Sequence, residues 1–149
     1  MPHACCYFCK YSCPHQIIPG LGKVKAVTAS KESSFFLYDD GSAQSCGKND
    51  EGQLGDGSFI MSSAEAPIVN VLIPDSDFIE RIGSGPSSQS AFFIGKESVY
   101  ATGLNDRFQL GIGNIDSQNV PTKVLFDGPV DITYVSASGS HTVANGYVL

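Results

Sequence analysis

A thirteen-residue run that occurs twice constrains this chain more than anything else in it. Ser45 to Gly57 reads SCGKNDEGQLGDG, and Ala101 to Gly113 reads ATGLNDRFQLGIG. Gly47 returns as Gly103, Asn49 as Asn105, Gln53 as Gln109, Leu54 as Leu110, Gly55 as Gly111 and Gly57 as Gly113, all at one offset. Self-similarity at such a period belongs to solenoids and propellers, in which each unit buries its apolar face against the next. The residue types suit a loop that closes one unit. A Gly lets a strand end and the backbone take positive φ, and Asn-Asp supplies short side chains that bond their own backbone. Leu54 and Leu110 read as apolar pins. Gln53 and Gln109 read as amides that satisfy loop groups the sheet leaves unpaired.

Around each loop the same order of short strands can be traced. In the first unit Lys23–Ala29, Phe35–Tyr38 and Ala43–Cys46 precede the loop, and Asp39-Asp40-Gly41-Ser42 is a hairpin turn. Pro67 then leads a strand over Ile68–Ile73, at a position where a missing donor is tolerated. The second unit repeats this with Phe78–Ile82, Ala91–Ile94, a Gly95-Lys96-Glu97 turn, Ser98–Thr102, the loop, and the Pro121-containing strand Val120–Leu125. A third unit opens at Ile132, runs through Val135 to Ala144 and lacks its loop. Units of about 23–77, 78–131 and 132–149 make four-stranded antiparallel sheets, the last incomplete.

Charge is uneven along the 149 residues. Lys10, Lys23, Lys25 and Lys31 stand in the first 31 residues without an acid, whereas the rest is strongly acidic and brings the net charge to -6. An acidic body speaks against binding a phosphate backbone, so no nucleic-acid partner is expected through the repeats. Residues 1–22 form a separate Cys-rich arm with Cys5, Cys6, Cys9 and Cys13 flanked by His3 and His15. Zinc ligation is conceivable there, but zinc modules hold two separated ligand pairs and here one run carries all of them. Acylation of the Cys pair at a membrane is another reading. The plainest is an arm with reduced thiols and few contacts to the repeats. Pro19-Gly20-Leu21-Gly22 reads as a linker. No secretory signal or membrane-spanning run stands out, so a cytoplasmic or nuclear location is expected.

The pattern resembles the repeat of the regulator of chromosome condensation family. The resemblance rests on Gly47-x-Asn49-x-x-Gly52-Gln53-Leu54-Gly55-x-Gly57, its partner Gly103 to Gly113, the Pro67 and Pro121 strands, and Ser138-Gly139-Ser140-His141-Thr142-Val143-Ala144. It implies an all-β fold, a partial β-propeller of four-stranded antiparallel blades and so a fragment of a seven-bladed architecture. It also implies that His141 is structural, bonding the blade backbone. One position departs from the pattern: Phe108 stands where Gly52 stands in the first loop, and a requirement for positive φ there would strain it. Open blade edges and the apolar runs Phe35–Tyr38 and Phe92–Ile94 point to self-association or a capping partner.

Catalytic patterns are missing. Gly83-Ser84-Gly85-Pro86-Ser87-Ser88 reads as a β-turn and not a phosphate cradle, because it lacks a third Gly and carries Pro86. Asp50, Asp56 and Asp106 lie among glycines without the alternating acids that end in Glu, as calcium would need. His141 has no nucleophile beside it in sequence. No enzyme, cofactor or metal is expected. The resemblance implies a protein–protein interaction module, or alternatively a guanine-nucleotide exchange regulator of a small GTPase, as the founding member is. The family also contains a UV-B photoreceptor that senses light through tryptophans; this chain has none.

Overall fold

The computed structural model describes residues 23–62, 68–96 and 98–149, with the backbone of two short strands in the N-terminal segment, β1 (Cys5–Cys6) and β2 (Gln16–Ile17). These two pair antiparallel with each other, a hairpin that the Cys-rich sequence did not suggest. The ligand and thiol readings for the arm, and Pro67 ahead of the fourth strand, lie outside the described residues.

The first blade contains β3 (Val24–Ala29), β4 (Ser33–Tyr38), β5 (Ala43–Gly47) and β6 (Val69–Asn70) in that order, every pair antiparallel. The second contains β7 (Ile79–Gly83), β8 (Ser90–Gly95), β9 (Val99–Gly103) and β10 (Gln118–Lys123), again in chain order. Two strands follow, β11 (Val130–Ala137) and β12 (Thr142–Val148), paired with each other alone among the described residues. The single run read over Val135–Ala144 is therefore a hairpin, turned at Ser138–His141, where the Ser138 N–H donates to the His141 carbonyl at 2.9 Å.

The continuous apolar runs follow from burial on both faces of a strand, since alternate side chains point opposite ways. In β4, Phe35 and Leu37 face the second blade, where they join Ile79, Ala91, Phe93 and Tyr100 in one core. Phe35 and Phe93 meet edge to face at 6.1 Å between ring centres. Phe36 and Tyr38 point the other way with Cys46. Cys46 is disulfide-bonded. In β8 the partition repeats, Ala91 and Phe93 turning to the first blade, Phe92 and Ile94 to Ile132, Val135 and Ala137 of β11. Each such large side chain contributes about 1.5–3 kcal/mol through burial. The sheets thus stack one behind another, with the inner strands β7 and β11 in direct contact.

One expectation needs correction. Ile68–Ile73 is not a six-residue strand: only Val69–Asn70 is paired, and Pro74–Ser76 forms a 3-10 turn right after it. Asp75 and Ser76 carry positive φ there, a local conformation that a chain cannot combine with extended pairing. The Gly83–Ser88 segment, by contrast, is the expected β-turn, closed by the Ser88 N–H on the Gly85 carbonyl at 2.9 Å.

Candidate functional site: the recurring loops

Each loop is built around an asparagine. Asn49 is fully buried; its Oδ1 accepts the Leu54 N–H at 2.9 Å. Its Nδ2 lies 3.1 Å from the carbonyls of Ser58 and Ile60 and from Asp56 Oδ1. Asn105 repeats this, accepting the Leu110 N–H at 3.0 Å and donating to the carbonyls of Asn114 and Asp116 at 2.8 and 3.2 Å. One amide therefore ties both ends of the loop, and its loss would strand buried backbone groups.

The glutamines have a narrower task. Gln53 Oε1 accepts the Glu51 N–H at 2.9 Å, and Gln109 Oε1 accepts the Arg107 N–H at 2.7 Å. Their Nε2 atoms reach Asp50 at 3.4 Å and Asp106 at 3.0 Å. The glutamines thus satisfy loop N–H groups as expected, while the wider tie across the loop is made by asparagine. Asp50 and Asp106 recur at the common offset too, and each accepts from the glutamine of its own loop. Leu54 is 0 % exposed and Leu110 1 %. Among the other recurring positions, Gly47, Gly52, Gly55, Gly57, Gly103, Gly111 and Gly113 all have positive φ.

Each loop is then fastened to the blade that follows. Thr102 Oγ1 donates to the Gln53 carbonyl at 3.1 Å and Thr142 Oγ1 to the Gln109 carbonyl at 2.8 Å. Gly57 and Asn119 exchange two bonds, Gly57 N–H to the Asn119 carbonyl at 2.8 Å and Asn119 Nδ2 to the Gly57 carbonyl at 3.0 Å. A Cβ on Gly52 would stand 2.6 Å from Asn119 Cα, so that position needs Gly for space as well as for its φ of 78°. Phe108 takes the equivalent place with φ 58° and is 62 % exposed. The positive φ anticipated at this position is therefore present.

His141 is exposed, and its Nδ1 lies 2.9 Å from Ser138 Oγ. Its ring bonds a hydroxyl and not the blade backbone, because the tight turn brings Ser138 directly beneath it. Lys48 holds Glu32 at 3.0 Å and Asp50 at 3.1 Å across the loop end, and hydrogen bonds to those two carboxylates raise its pKa. Tyr100 is raised by burial and then by Asp77, whose Oδ2 its hydroxyl reaches at 3.3 Å. Among the described residues no group of three or more His, Cys, Asp or Glu side chains is placed to hold a metal. Nor is any helix there long and apolar enough to cross a membrane.

Antiparallel four-stranded sheets stacked in chain order, each closed by a loop that docks on the next, define a partial β-propeller. Within it, residues 96–144 match the family profile of the regulator of chromosome condensation (RCC1) repeat. The fold is shared with Prp20p, the RCC1 of Saccharomyces cerevisiae, at a TM-score of 0.73 and 19 % identity over 91 % of this chain. It is shared as well with human WBSCR16, at 0.75 and 20 % over 88 %. In sequence the chain is 29 % identical over 133 residues to a bifunctional serine/threonine-protein kinase/NEDD4-like E3 ubiquitin-protein ligase of Dictyostelium discoideum. The match covers 82 % of this chain but 7 % of that protein, and 33 % of each of the two solved structures.

Proposed function

We propose that this chain is a protein–protein interaction module that presents the loop end of its blade stack to a partner, and that it catalyses no reaction. One observation carries this reading. The recurring polar side chains are turned inward and spent on the loops themselves, while apolar side chains are left outside. Asn49, Gln53, Asn105 and Gln109 are buried and hydrogen-bonded, whereas Phe59, Ile60, Met61 and Ile115 of the same loops are exposed. Exposed apolar clusters of this kind mark contact surfaces.

Prp20p is described by its binding properties to Gsp1p and histones, and exchange on a small GTPase is the competing function. Fold likeness alone does not carry that activity. Two measurements on the purified chain separate them. Nucleotide release from a panel of small GTPases is expected to proceed at its intrinsic rate, and acceleration would replace this reading with the exchange one. Affinity purification of the chain, compared with the triple variant Phe59→Ser, Ile60→Ser, Ile115→Ser, is expected to lose specific partners. An identical partner set for both would overturn the loop-end reading.

A further inference from the structure

The asparagine at the centre of each loop does more than close it. Asn49 Nδ2 holds the carbonyls of Ser58 and Ile60, and Asn105 Nδ2 holds those of Asn114 and Asp116. Between each held pair lies one residue, Phe59 in the first loop and Ile115 in the second, ten positions after its asparagine. The peptide units on both sides of that residue are pinned, so the loop fixes its backbone while its side chain stays in solvent. Phe59 is 52 % exposed and Ile115 53 %. The near-equality decides the cause, because the first loop is followed by a four-stranded blade and the second by β11 and β12. The exposure therefore belongs to the position in the repeat and not to the end of the stack.

We propose that Phe59 and Ile115 are paired anchors, one from each unit, for a basic segment of a partner protein that carries apolar side chains of its own. The proposal rests on the interaction reading above and gives the partner a chemistry. The two loops are joined: Glu51 Oε2 accepts from Ser117 Oγ at 3.3 Å, and Gly57 and Asn119 exchange two bonds. The anchors thus sit on one surface whose shape exists before binding, which spares the complex part of the ordering cost. Ile60 and Met61 widen the exposed apolar area beside Phe59.

Charge around the anchors sets the sign of the partner. Lys48 is taken up by Glu32 and Asp50, and Arg107 lies 3.9 Å from Asp106. Glu51, Asp56 and Asp116 remain, and none of them is ion-paired among the described residues. Hydrogen bonds from Ser117 and Ser58 position the first two carboxylates without neutralising them. Against the three stands Lys31, in the turn whose Glu32 carbonyl accepts the Lys48 N–H. Lysine or arginine spaced between apolar residues complements this mixture. A second copy would bring the same carboxylates to the same place, and like charges oppose that.

The test uses the full chain and a fluorescent peptide of about ten residues with alternating leucine and lysine, read by anisotropy. A leucine–glutamate peptide serves as the charge control and a serine–lysine peptide as the apolar control. The leucine–lysine peptide is expected to bind at least about tenfold more tightly than either. Phe59→Ser and Ile115→Ser are each expected to weaken it about fivefold or more. Asp116→Lys is expected to weaken it while improving the leucine–glutamate peptide. Val27→Ser, at an exposed apolar position of β3, is expected to leave binding unchanged. Equal binding of either control, undiminished binding by either anchor variant, or an equal loss in the Val27 variant would overturn the proposal. So would a chain that dimerises and is returned to monomer by Phe59→Ser, since a second copy would then be the occupant. Failure here, with partners still lost from the loop-end triple variant, removes the basic ligand and leaves the interaction reading standing. Peptide binding through both anchors, with partners unaffected by that variant, does the reverse.

Discussion

The two loops share a skeleton and differ in what lies against them. In both, a buried asparagine accepts a leucine N–H five residues on and donates to carbonyls nine and eleven residues on. In the first, position 52 is Gly and touches the backbone of β10. In the second, position 108 is Phe in the same left-handed conformation, with its ring in the open. The backbone conformation is therefore a property of the loop, while the identity of the residue is set by the neighbour. Where a strand presses in, only Gly fits. Where none does, a side chain is tolerated at the cost of local strain, about 1–2 kcal/mol for an L-residue in this region.

The largest expected effect tests the shared skeleton. Leu54→Ala should lower stability by about 3 kcal/mol in urea denaturation, in the range for buried leucines. Leu110→Ala should cost less, about 2 kcal/mol, since Leu110 lines a cavity of about 380 Å³ and its surroundings can relax. Equal losses would show that the neighbouring strands add nothing to loop burial. Next comes the exchange of the differing residue. Gly52→Phe should cost about 2–3 kcal/mol, because overpacking against Asn119 adds to the strain of positive φ. A cost below about 1 kcal/mol would mean that β10 yields easily, and the contrast between the loops would lose its cause.

The reverse substitution, Phe108→Gly, should change stability by less than about 1 kcal/mol, as relief of strain is offset by the greater freedom of Gly in the unfolded chain. A large loss would place the Phe108 ring in a contact that its exposure does not suggest. The smallest effect is expected at His141, where His141→Ala should shift the denaturation midpoint by no more than corresponds to about 0.5 kcal/mol. A larger loss would make its bond to Ser138 a structural tie after all.

Much of this was legible in the residues. The constant offset of the recurring glycines, Asn, Gln and Leu marked the units, whereas the runs Phe35–Tyr38 and Phe92–Ile94, read as apolar surface that calls for a capping partner, are buried by the chain itself. The anticipated strain at Phe108 also followed from sequence, since loss of Gly at a turn position has a definite conformational meaning. The division of labour between Asn49 and Gln53 was not legible, because both side chains carry the same amide and only the loop's closure decides which one faces its carbonyls. Ile68–Ile73 misled for another reason. β-branched residues predict an extended backbone, but pairing needs a partner strand, and contact with β5 ends at the Val71 N–H on the Ala43 carbonyl, after which Leu72 bonds Gly55 instead.

Backbone amide exchange of β12, set beside that of β9, tests most directly the claim that the stack is open behind its second blade. β9 pairs on both sides, with β8 and β10, and its amides are expected to be protected throughout Val99–Gly103. β12 pairs on one side among the described residues, so its amides over Thr142–Val148 should alternate between slow and fast exchange with the two-residue period of the strand. Uniform protection of β12 at the level of β9, in the isolated monomeric chain, would mean that its outer edge is already covered, and the contrast between the two ends of the stack would fall with it.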